Sequence, residues 1–326
     1  MMMMRRLIAE IGSVNGDLPF ALDTVEKMAV AGAEYIKGQL YTADTLVTKD
    51  ARPYGNNLGE PLTQYEAFSN SLSYDAWGIV KDRCDQLGVV FFGSVFDLDA
   101  VKAGVEQGWN AFKIASADIT NRPLLEAVAE TGRYVFLSTG ASTEFEIRRA
   151  AAMFTEVTVM ACTLTYPCPL VDANVDRMRT LASWFGSSGY SDHTRGIAAA
   201  DYAFRTGATF VEKHVTITPG EPGDHKFAID PVEVKQLVKG DTWGDAAVDA
   251  LVAGTGQIGP IGSEQAARHL ARRSPRATVD IAAGDAVDDS NTVMLRPATG
   301  IDPFDLPKVA TVGISRGDTV TAGLVR

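Results

Sequence analysis

Two histidines are the residues of this sequence best suited to chemistry, and the chain has only four. His193 lies in "GYSDHT" (189–194) and His214 in "VEKHVT" (211–216), and each closes an apolar, strand-like segment. Two imidazoles at the ends of neighbouring strands are a plausible ligand pair for one divalent metal ion, with water or a substrate oxygen completing the shell. The alternative for either residue alone is a hydrogen-bonded structural histidine.

Lysines and hydroxyls close other segments of the same kind. A lysine ammonium suits a phosphate as a point charge, and serine hydroxyls donate to phosphate or carboxylate oxygens. One such lysine alone is more often a solvated surface residue, but the whole set predicts a site for a phosphate or another dianion. Carboxylate, amide and phenol groups lie beside these lysines and hydroxyls. The full list of candidates is Glu10, Lys37, Gln39, Ser94, Lys113, Ser116, Asp118, Ser138, Tyr166 and Ser191.

Two loops add weaker signals. "GEPGDHKF" (220–227) follows the segment of His214, so its Asp224 and His225 are expected at the same mouth. "STGAS" (138–142) is typical of an anion-binding nest, but also of a loop that starts a helix with a serine N-cap.

The elements that must hold these residues form a repeating pattern. Unbroken apolar strands, each followed by a helical stretch, predict a parallel sheet covered by helices. Eight such units predict a closed (β/α)8 TIM barrel, whose active site lies at the carboxyl ends of the strands; a doubly wound open sheet is the alternative. The predicted strands are residues 6–12, 34–39, 89–96, 111–116, 134–139, 157–163, 188–193 and 209–216.

The pattern changes after residue 253. We predict a barrel domain over 1–253, a Gly-rich linker over 254–266 and a small β-rich domain over 267–326, where short segments are punctuated by Gly and Asp. A domain of roughly 60 residues has a marginal core of its own, so it is expected to lean on another surface.

Composition narrows the class of protein. The chain has 326 residues, 46% of them hydrophobic, and a net charge of −11, which is typical of a soluble globular protein. An acidic chain is a poor partner for nucleic acid, and no apolar run approaches the roughly 20 residues of a membrane span. The N-terminal residues contain no signal-peptide pattern, and three cysteines form no disulfide framework, so a cytoplasmic location is expected.

The order of these motifs resembles the sialic acid synthase family over nearly the whole chain. The stretches that carry the resemblance are "IAEIG", "AGAEYIKGQ", "FKIASADITNRPLLEAVAETG", "LSTGAS", "YPCP", "GYSDHT", "VEKHVT" and "PGDHKFAIDP". In the tail, "RRS" and "LRPATGI" resemble the antifreeze-like (SAF) domain that ends these enzymes.

The resemblance implies a reaction. Members of the family condense phosphoenolpyruvate with an N-acyl aminohexose, here N-acetylmannosamine (ManNAc) or a 2,4-diacetamido sugar, giving a nine-carbon 2-keto acid of the sialic, legionaminic or pseudaminic type plus phosphate. It implies a divalent ion, Mn2+ in most members with Mg2+ or Co2+ as alternatives, on His193 and His214. It also implies a domain-swapped homodimer in which Arg296 of "LRPATG" reaches the partner's barrel.

The resemblance also divides the candidate residues into three groups. It implies a catalytic group of Glu10, His193 and His214. It implies a phosphoenolpyruvate group of Lys37, Ser94, Lys113, Ser116, Ser138 and Ser191, and a sugar group of Gln39, Asp118, Tyr166, Asp224 and Arg296.

Three segments depart from the family pattern. The first loop, "GSVNGD" (12–17), lacks the usual histidine and is one residue shorter; "GSVF" (93–96) replaces Ser-Thr-Pro-Phe; and Leu164 stands where a polar residue is usual. These differences bear on the acceptor sugar more than on the reaction. A metal-dependent aldolase or epimerase on the same barrel, or a non-catalytic sugar-binding protein, remains an alternative.

Overall fold

The computed structural model describes residues 5–53, 63–242 and 244–326, and residues 1–4 of the predicted barrel domain lie outside it. Eight parallel strands form a closed barrel in sequential order, which confirms the predicted TIM barrel and excludes the open sheet. The strands are β1 (Leu7–Glu10), β2 (Tyr35–Leu40), β3 (Val90–Val95), β4 (Ala111–Ile114), β5 (Tyr134–Ser138), β6 (Val157–Cys162), β7 (Gly189–Asp192) and β8 (Val211–His214).

Helices cover the barrel and are delimited by local signals. Asp17 caps the first helix by accepting from the Phe20 amide, and Gly32 ends it with a left-handed φ of 102°. The described helices are α1 (Leu18–Ala31), α2 (Ala43–Leu46), α3 (Gln64–Phe68), α4 (Tyr74–Leu87), α5 (Leu98–Glu106), α6 (Arg122–Glu130), α7 (Glu144–Ala151), α8 (Arg177–Phe185), α9 (Ala198–Arg205), α10 (Pro231–Lys239), α11 (Ala246–Ala253) and α12 (Gln265–Leu270). None of the described helices combines the length and apolar character needed to cross a membrane.

The register of β7 and β8 sets the position of the two histidines. Ser191 pairs with Glu212, and Asp192 pairs with Lys213. Because side chains alternate along a strand, Ser191 and Glu212 face the lumen with the histidines that follow two residues later. Asp192 and Lys213 point the other way and form a fully buried ion pair, Nζ to Oδ2 at 2.8 Å, between the strand ends.

The C-terminal residues form short antiparallel pairs with a separate small core. β9 (Ser274–Ala277) pairs with β11 (Thr292–Leu295), and β10 (Ala286–Val287) pairs with β12 (Lys308–Val309). Buried residues of this region, such as Ile281, Val287 and Val320, cluster apart from the barrel core. This is the small β-rich unit expected from the sequence.

The connector between the two units lies against the barrel. The Gly256 amide donates to Asn174 Oδ1 at 2.8 Å, and Arg177 donates to the carbonyls of Gln257 and Gly259 at 3.1 and 2.8 Å. These contacts fix a segment whose glycines alone would make it a flexible spacer.

Candidate active site

One cavity of about 310 Å³ opens at the carboxyl ends of the barrel strands. It brings together every predicted site residue except Asp118 and His225. The predicted residues that line it are Glu10, Lys37, Gln39, Ser94, Lys113, Ser116, Ser138, Tyr166, Ser191, His193, His214, Asp224 and Arg296. The Nδ1 atom of His225 lies 2.7 Å from the Thr216 hydroxyl instead.

The two predicted metal ligands face each other. The rings of His193 and His214 lie 5.7 Å apart between centroids, and the Tyr166 ring covers His193 at 4.1 Å. His193 Nδ1 lies 2.9 Å from the Thr163 carbonyl oxygen, to which it can only donate, so Nε2 keeps its lone pair. Burial, together with the neighbouring His214, lowers the pKa of His193 to about 4 and keeps the ring neutral.

His214 lies between two carboxylates. Its Nε2 is 3.3 Å from Glu10 Oε2, and its Nδ1 is 3.3 Å from Asp224 Oδ2. Burial lowers the pKa of His214, but Glu10 and Asp224 outweigh it, and the pKa lies above its ordinary value. Among the described residues no group of three His, Cys, Asp or Glu side chains is arranged to hold a metal ion. A metal on this pair would therefore need oxygen ligands from water or substrate.

Glu10 and Lys37 form a buried pair at the floor of the cavity. Lys37 Nζ lies 2.8 Å from Glu10 Oε1, and Gln39 Nε2 donates to the same oxygen at 2.6 Å. Burial opposes ionisation of Glu10, but His214 and Lys37 outweigh it and hold the pKa of Glu10 well below its usual range. Burial lowers the pKa of Lys37, but Glu10 and Glu212 outweigh it and raise that pKa above its ordinary value.

Lys113 is the less firmly paired ammonium. Its Nζ lies 3.7 Å from Glu212 Oε1 and donates to the Ile114 carbonyl at 3.1 Å. Burial outweighs the carboxylates and lowers the pKa of Lys113. The Ser138 hydroxyl on the next strand is buried without a hydrogen-bond partner. This corner therefore holds a cation and a hydroxyl whose bonding capacity a ligand can use.

Asp118 does not line the cavity, so the structure does not support the sugar contact predicted for it. The residue is fully buried, and its Oδ1 lies 2.7 Å from Nε of Arg273, which comes from the C-terminal unit. Asn121 Nδ2 donates to the same oxygen at 3.0 Å. Asp118 instead anchors the tail to the barrel.

Arg296 lines the mouth of the barrel in the described chain, and its expected reach into a partner's barrel stays a prediction. Its backbone bonds to the Leu46 carbonyl and the Thr48 amide, both at 3.1 Å, next to a parallel bridge with Val47. Its guanidinium lies 5.5 Å from the ring centroid of Phe68 and 5.9 Å from that of Phe96. The connector is bonded to the barrel, so the tail folds back onto the chain that carries it.

Sequence reasoning gave no role to two parts of this site. Glu212 precedes His214 by two residues, faces the lumen, accepts from Ser191 at 2.9 Å and lies 3.3 Å from Lys37. The alternation within β8 was the signal that could have found it. The second part is an aromatic rim, in which the Tyr41 ring lies 5.3 Å from that of Phe68 and 5.7 Å from that of Phe96. Its members follow β2, end α3 and follow β3, and this separation in sequence left no local signal.

Comparison with known proteins gives consistent matches. Residues 24–247 match the family described as the NeuB family. The chain is 33% identical to an N,N'-diacetyllegionaminic acid synthase of Legionella pneumophila, over 96% of this chain and 92% of that protein. It is 27% identical to a pseudaminic acid synthase of Campylobacter jejuni, over 97% of this chain and 95% of that one. The crystal structure of the spore coat polysaccharide biosynthesis protein SpsE of Bacillus subtilis superposes with a TM-score of 0.82 at 27% identity, covering 98% of this chain and 94% of that one.

Proposed function

This chain belongs to the NeuB family, and we propose that it condenses phosphoenolpyruvate with an N-acyl aminohexose to give a nine-carbon 2-keto sugar acid and phosphate. The relatives named above are synthases of such acids. One observation carries the proposal: a single cavity holds both a facing histidine pair and a buried corner of lysines and hydroxyls. The first suits a polarised aldehyde, and the second suits a phosphorylated acid.

The charges in the cavity suit an anionic donor only with an added cation. Formally, with both histidines neutral, three cationic side chains, Lys37, Lys113 and Arg296, line the cavity with the three carboxylates of Glu10, Glu212 and Asp224. Phosphoenolpyruvate brings at least two more negative charges into a buried space, where unbalanced charge is costly. A divalent ion would restore the balance.

The histidine pair fits such an ion. His193 is neutral, and its Nδ1–H is held by a carbonyl, which is the usual outer bond of a metal-ligating imidazole. His193 and His214 would hold the ion, which we take to be Mn2+, with Mg2+ or Co2+ as alternatives. When bound it supplies Lewis acidity toward the sugar aldehyde.

The remaining residues bind and orient the two substrates. Lys113, Ser116 and Ser138 lie together on the side proposed for phosphate and carboxylate, with Ser94, Lys37 and Ser191 beside them. Carbon 3 of phosphoenolpyruvate forms the new bond to the aldehyde carbon. Water adds at carbon 2, and the bond from carbon 2 to the ester oxygen breaks, releasing inorganic phosphate. Glu10, held ionised between Lys37 and His214, contacts both the lysine side and the histidine side of the cavity.

The outer half of the cavity fits the acceptor. The rings of Tyr41, Phe68 and Phe96 offer apolar faces for acetamido methyl groups, and Arg296 beside them offers donors to carbonyl or hydroxyl oxygens. Because legionaminic and pseudaminic acid synthases are among the relatives, we propose a 2,4-diacetamido hexose, and not ManNAc, as the preferred acceptor of this chain. Gln39, Tyr166 and Asp224 complete the sugar side of the proposal.

The wider setting belongs to the same proposal. We take the tail to be an antifreeze-like SAF domain, the assembly to be a homodimer and the location to be cytoplasmic. These assignments follow the family resemblance and the small antiparallel sheets of residues 267–326.

Phosphate release tests the function directly. Phosphoenolpyruvate is incubated with ManNAc and with 2,4-diacetamido hexoses, in chelator and with added Mn2+. We expect phosphate release that requires both a sugar and the metal, fastest with a diacetamido sugar. Carbon–carbon bond cleavage or epimerisation without phosphate release would favour an aldolase or epimerase. Sugar binding that is equal in chelator, with no turnover, would favour a binding protein.

A further inference from the structure

A buried carboxylate from the connector is inserted behind the phosphate side of the cavity. Glu264, at the start of α12, is fully buried. Its Oε1 accepts from the Ala141 amide at 2.6 Å and from the Leu164 amide at 2.8 Å. Its Oε2 accepts from the Ile261 amide at 3.0 Å and lies 3.7 Å from the guanidinium of Arg177. One side chain therefore joins the loops after β5 and β6 to the connector.

These two loops carry the hydroxyl corner. Gly140 precedes Ala141 and donates to Ser116 Oγ at 2.9 Å. A Cβ placed on Gly140 would lie 3.0 Å from Leu164 Cβ and 3.0 Å from Ser116 Oγ, so the three residues are in close contact. A shift of Ala141 or Leu164 would therefore alter the packing around Ser116.

The same contacts settle the ambiguous segment "STGAS". Ala141 has a left-handed φ of 53°, as a nest requires, but its amide is already bound by Glu264. The helix start belongs to Thr143, whose side chain caps α7. An internal carboxylate thus fills the position that an external anion would otherwise take.

We propose that Glu264 is a positioning residue for the phosphate side of the site, which makes the connector part of the donor-binding machinery. The inference rests on the proposed function for its kinetic consequence. Its structural content, the clamping of two loops by Oε1, does not depend on the reaction.

Two conservative variants separate the effect of side-chain length at position 264 from the effect of its negative charge. Glu264→Gln retains an oxygen at the Oε1 position and loses the charge, whereas Glu264→Asp retains the charge but is one methylene shorter. If the two loop hydrogen bonds matter, Glu264→Gln should keep most of the wild-type affinity for phosphoenolpyruvate, and Glu264→Asp should not. If only the charge beside Arg177 matters, the order reverses.

Kinetics and hydrogen exchange provide the readouts. We expect Glu264→Asp and Glu264→Met to raise the KM for phosphoenolpyruvate at least ~10-fold, the scale of a lost hydrogen bond to a charged group, with little change in the KM for the sugar. We expect faster amide exchange at Ala141 and Leu164 in both. Glu233→Met is the matched control, because Glu233 also accepts a backbone hydrogen bond, from Asp230 at 3.1 Å, but in a helix cap outside the cavity lining.

The outcomes are decisive. The proposal is overturned if the KM for phosphoenolpyruvate changes in Glu264→Gln but not in Glu264→Asp. It is also overturned if that KM changes equally in Glu233→Met. Should Glu264→Met not fold, the Gln and Asp pair gives the same comparison. If the wild-type protein releases no phosphate, the proposed function fails, while unchanged exchange at Ala141 and Leu164 in Glu264→Asp separately overturns the clamp.

Discussion

Individual side chains in the cavity are held by charges that they share. Glu10 contacts Lys37 and His214, and Lys37 in turn contacts Glu212, so no member changes charge alone. The sequence predicted Glu10, Lys37 and both histidines because each closes an apolar strand. It could not predict how they pair, since the distances depend on barrel closure.

Loss of His193 should abolish turnover while leaving the fold intact. His193→Ala is expected to reduce kcat at least ~100-fold, because Lewis-acid stabilisation is worth several kcal/mol. Chelator should inhibit the wild-type protein, and added Mn2+ should restore it but not the variant. The control is His269→Ala, at an exposed position of α12. Full activity of metal-stripped protein or of His193→Ala would contradict the metal assignment.

Replacing Lys113 should weaken the binding of phosphoenolpyruvate more than that of the sugar. Lys113→Met removes a buried cation that has only a 3.7 Å carboxylate contact, so the KM for phosphoenolpyruvate should rise about 10-fold or more while the KM for the sugar changes little. Steady-state kinetics with each substrate varied in turn checks this. Lys102→Met, at an exposed position of α5, is the control. An unchanged KM for phosphoenolpyruvate would remove Lys113 from the donor site.

At the scale of elements, the loop after β1 fits tightly against the site. Replacing Gly12 by Ala would place a Cβ 2.2 Å from Asp224 Oδ2 and 2.7 Å from His214 Nδ1. The Asp224 carboxylate can turn away, but the buried His214 ring must shift, so we expect a modest loss of thermal stability and at least ~10-fold lower activity. Gly313→Ala, where nothing lies within 4 Å, is the control. Wild-type activity in Gly12→Ala would show that His214 and Asp224 need not hold these positions.

The contact between α7 and α12 should be sensitive to acid. Glu146 lies 2.8 Å from Arg268 and 2.5 Å from Arg272. Burial opposes ionisation, but hydrogen bonds from the two arginines outweigh it and lower the pKa of Glu146 from 4.5 to about 2. Because the folded pKa is depressed, the stabilisation is complete above pH 4.5 and is lost as the pH falls toward 2.

Thermal denaturation between pH 5 and pH 3 tests this contact. Glu146→Gln should reduce the free energy of unfolding by roughly 1–3 kcal/mol at neutral pH and should flatten its fall in acid. Glu233→Gln serves as control, since Glu233 closes a similar capping box without arginine partners. Equal acid slopes in the wild-type protein and in Glu146→Gln would refute the assignment.

At the scale of the whole molecule, the tail packs against the barrel of the described chain. Arg296 lies at the mouth, Arg273 binds Asp118, and the connector is hydrogen-bonded to the barrel. A homodimer that exchanges this unit between its subunits remains a prediction.

Mixed subunits distinguish the two arrangements. If Arg296 serves its own barrel, Arg296→Ala and His193→Ala chains, unfolded together and co-refolded, should remain inactive, because each chain then lacks one part of its own site. Wild-type protein co-refolded with either variant should show activity in proportion to the wild-type chains. Restored activity in the mixture of the two variants would show that Arg296 serves a partner's barrel.

The sequence by itself determined the barrel and most of its mouth. Strand-length apolar runs and the helices between them are local patterns, and a closed parallel barrel brings every strand end to one rim. Lys37, Lys113, His193 and His214 could therefore be assigned to one cavity before any coordinate was known.

Only the tertiary structure decided which partners the remaining groups take. Asp118 has the local pattern of a substrate ligand, yet Arg273 binds it; the nest at Ala141 is filled by Glu264; and Arg296 lies at the mouth of the barrel in the described chain. Each outcome joins segments far apart in the chain. Buried polar groups must find a partner, and which partner is nearest depends on how the connector and tail pack against the barrel.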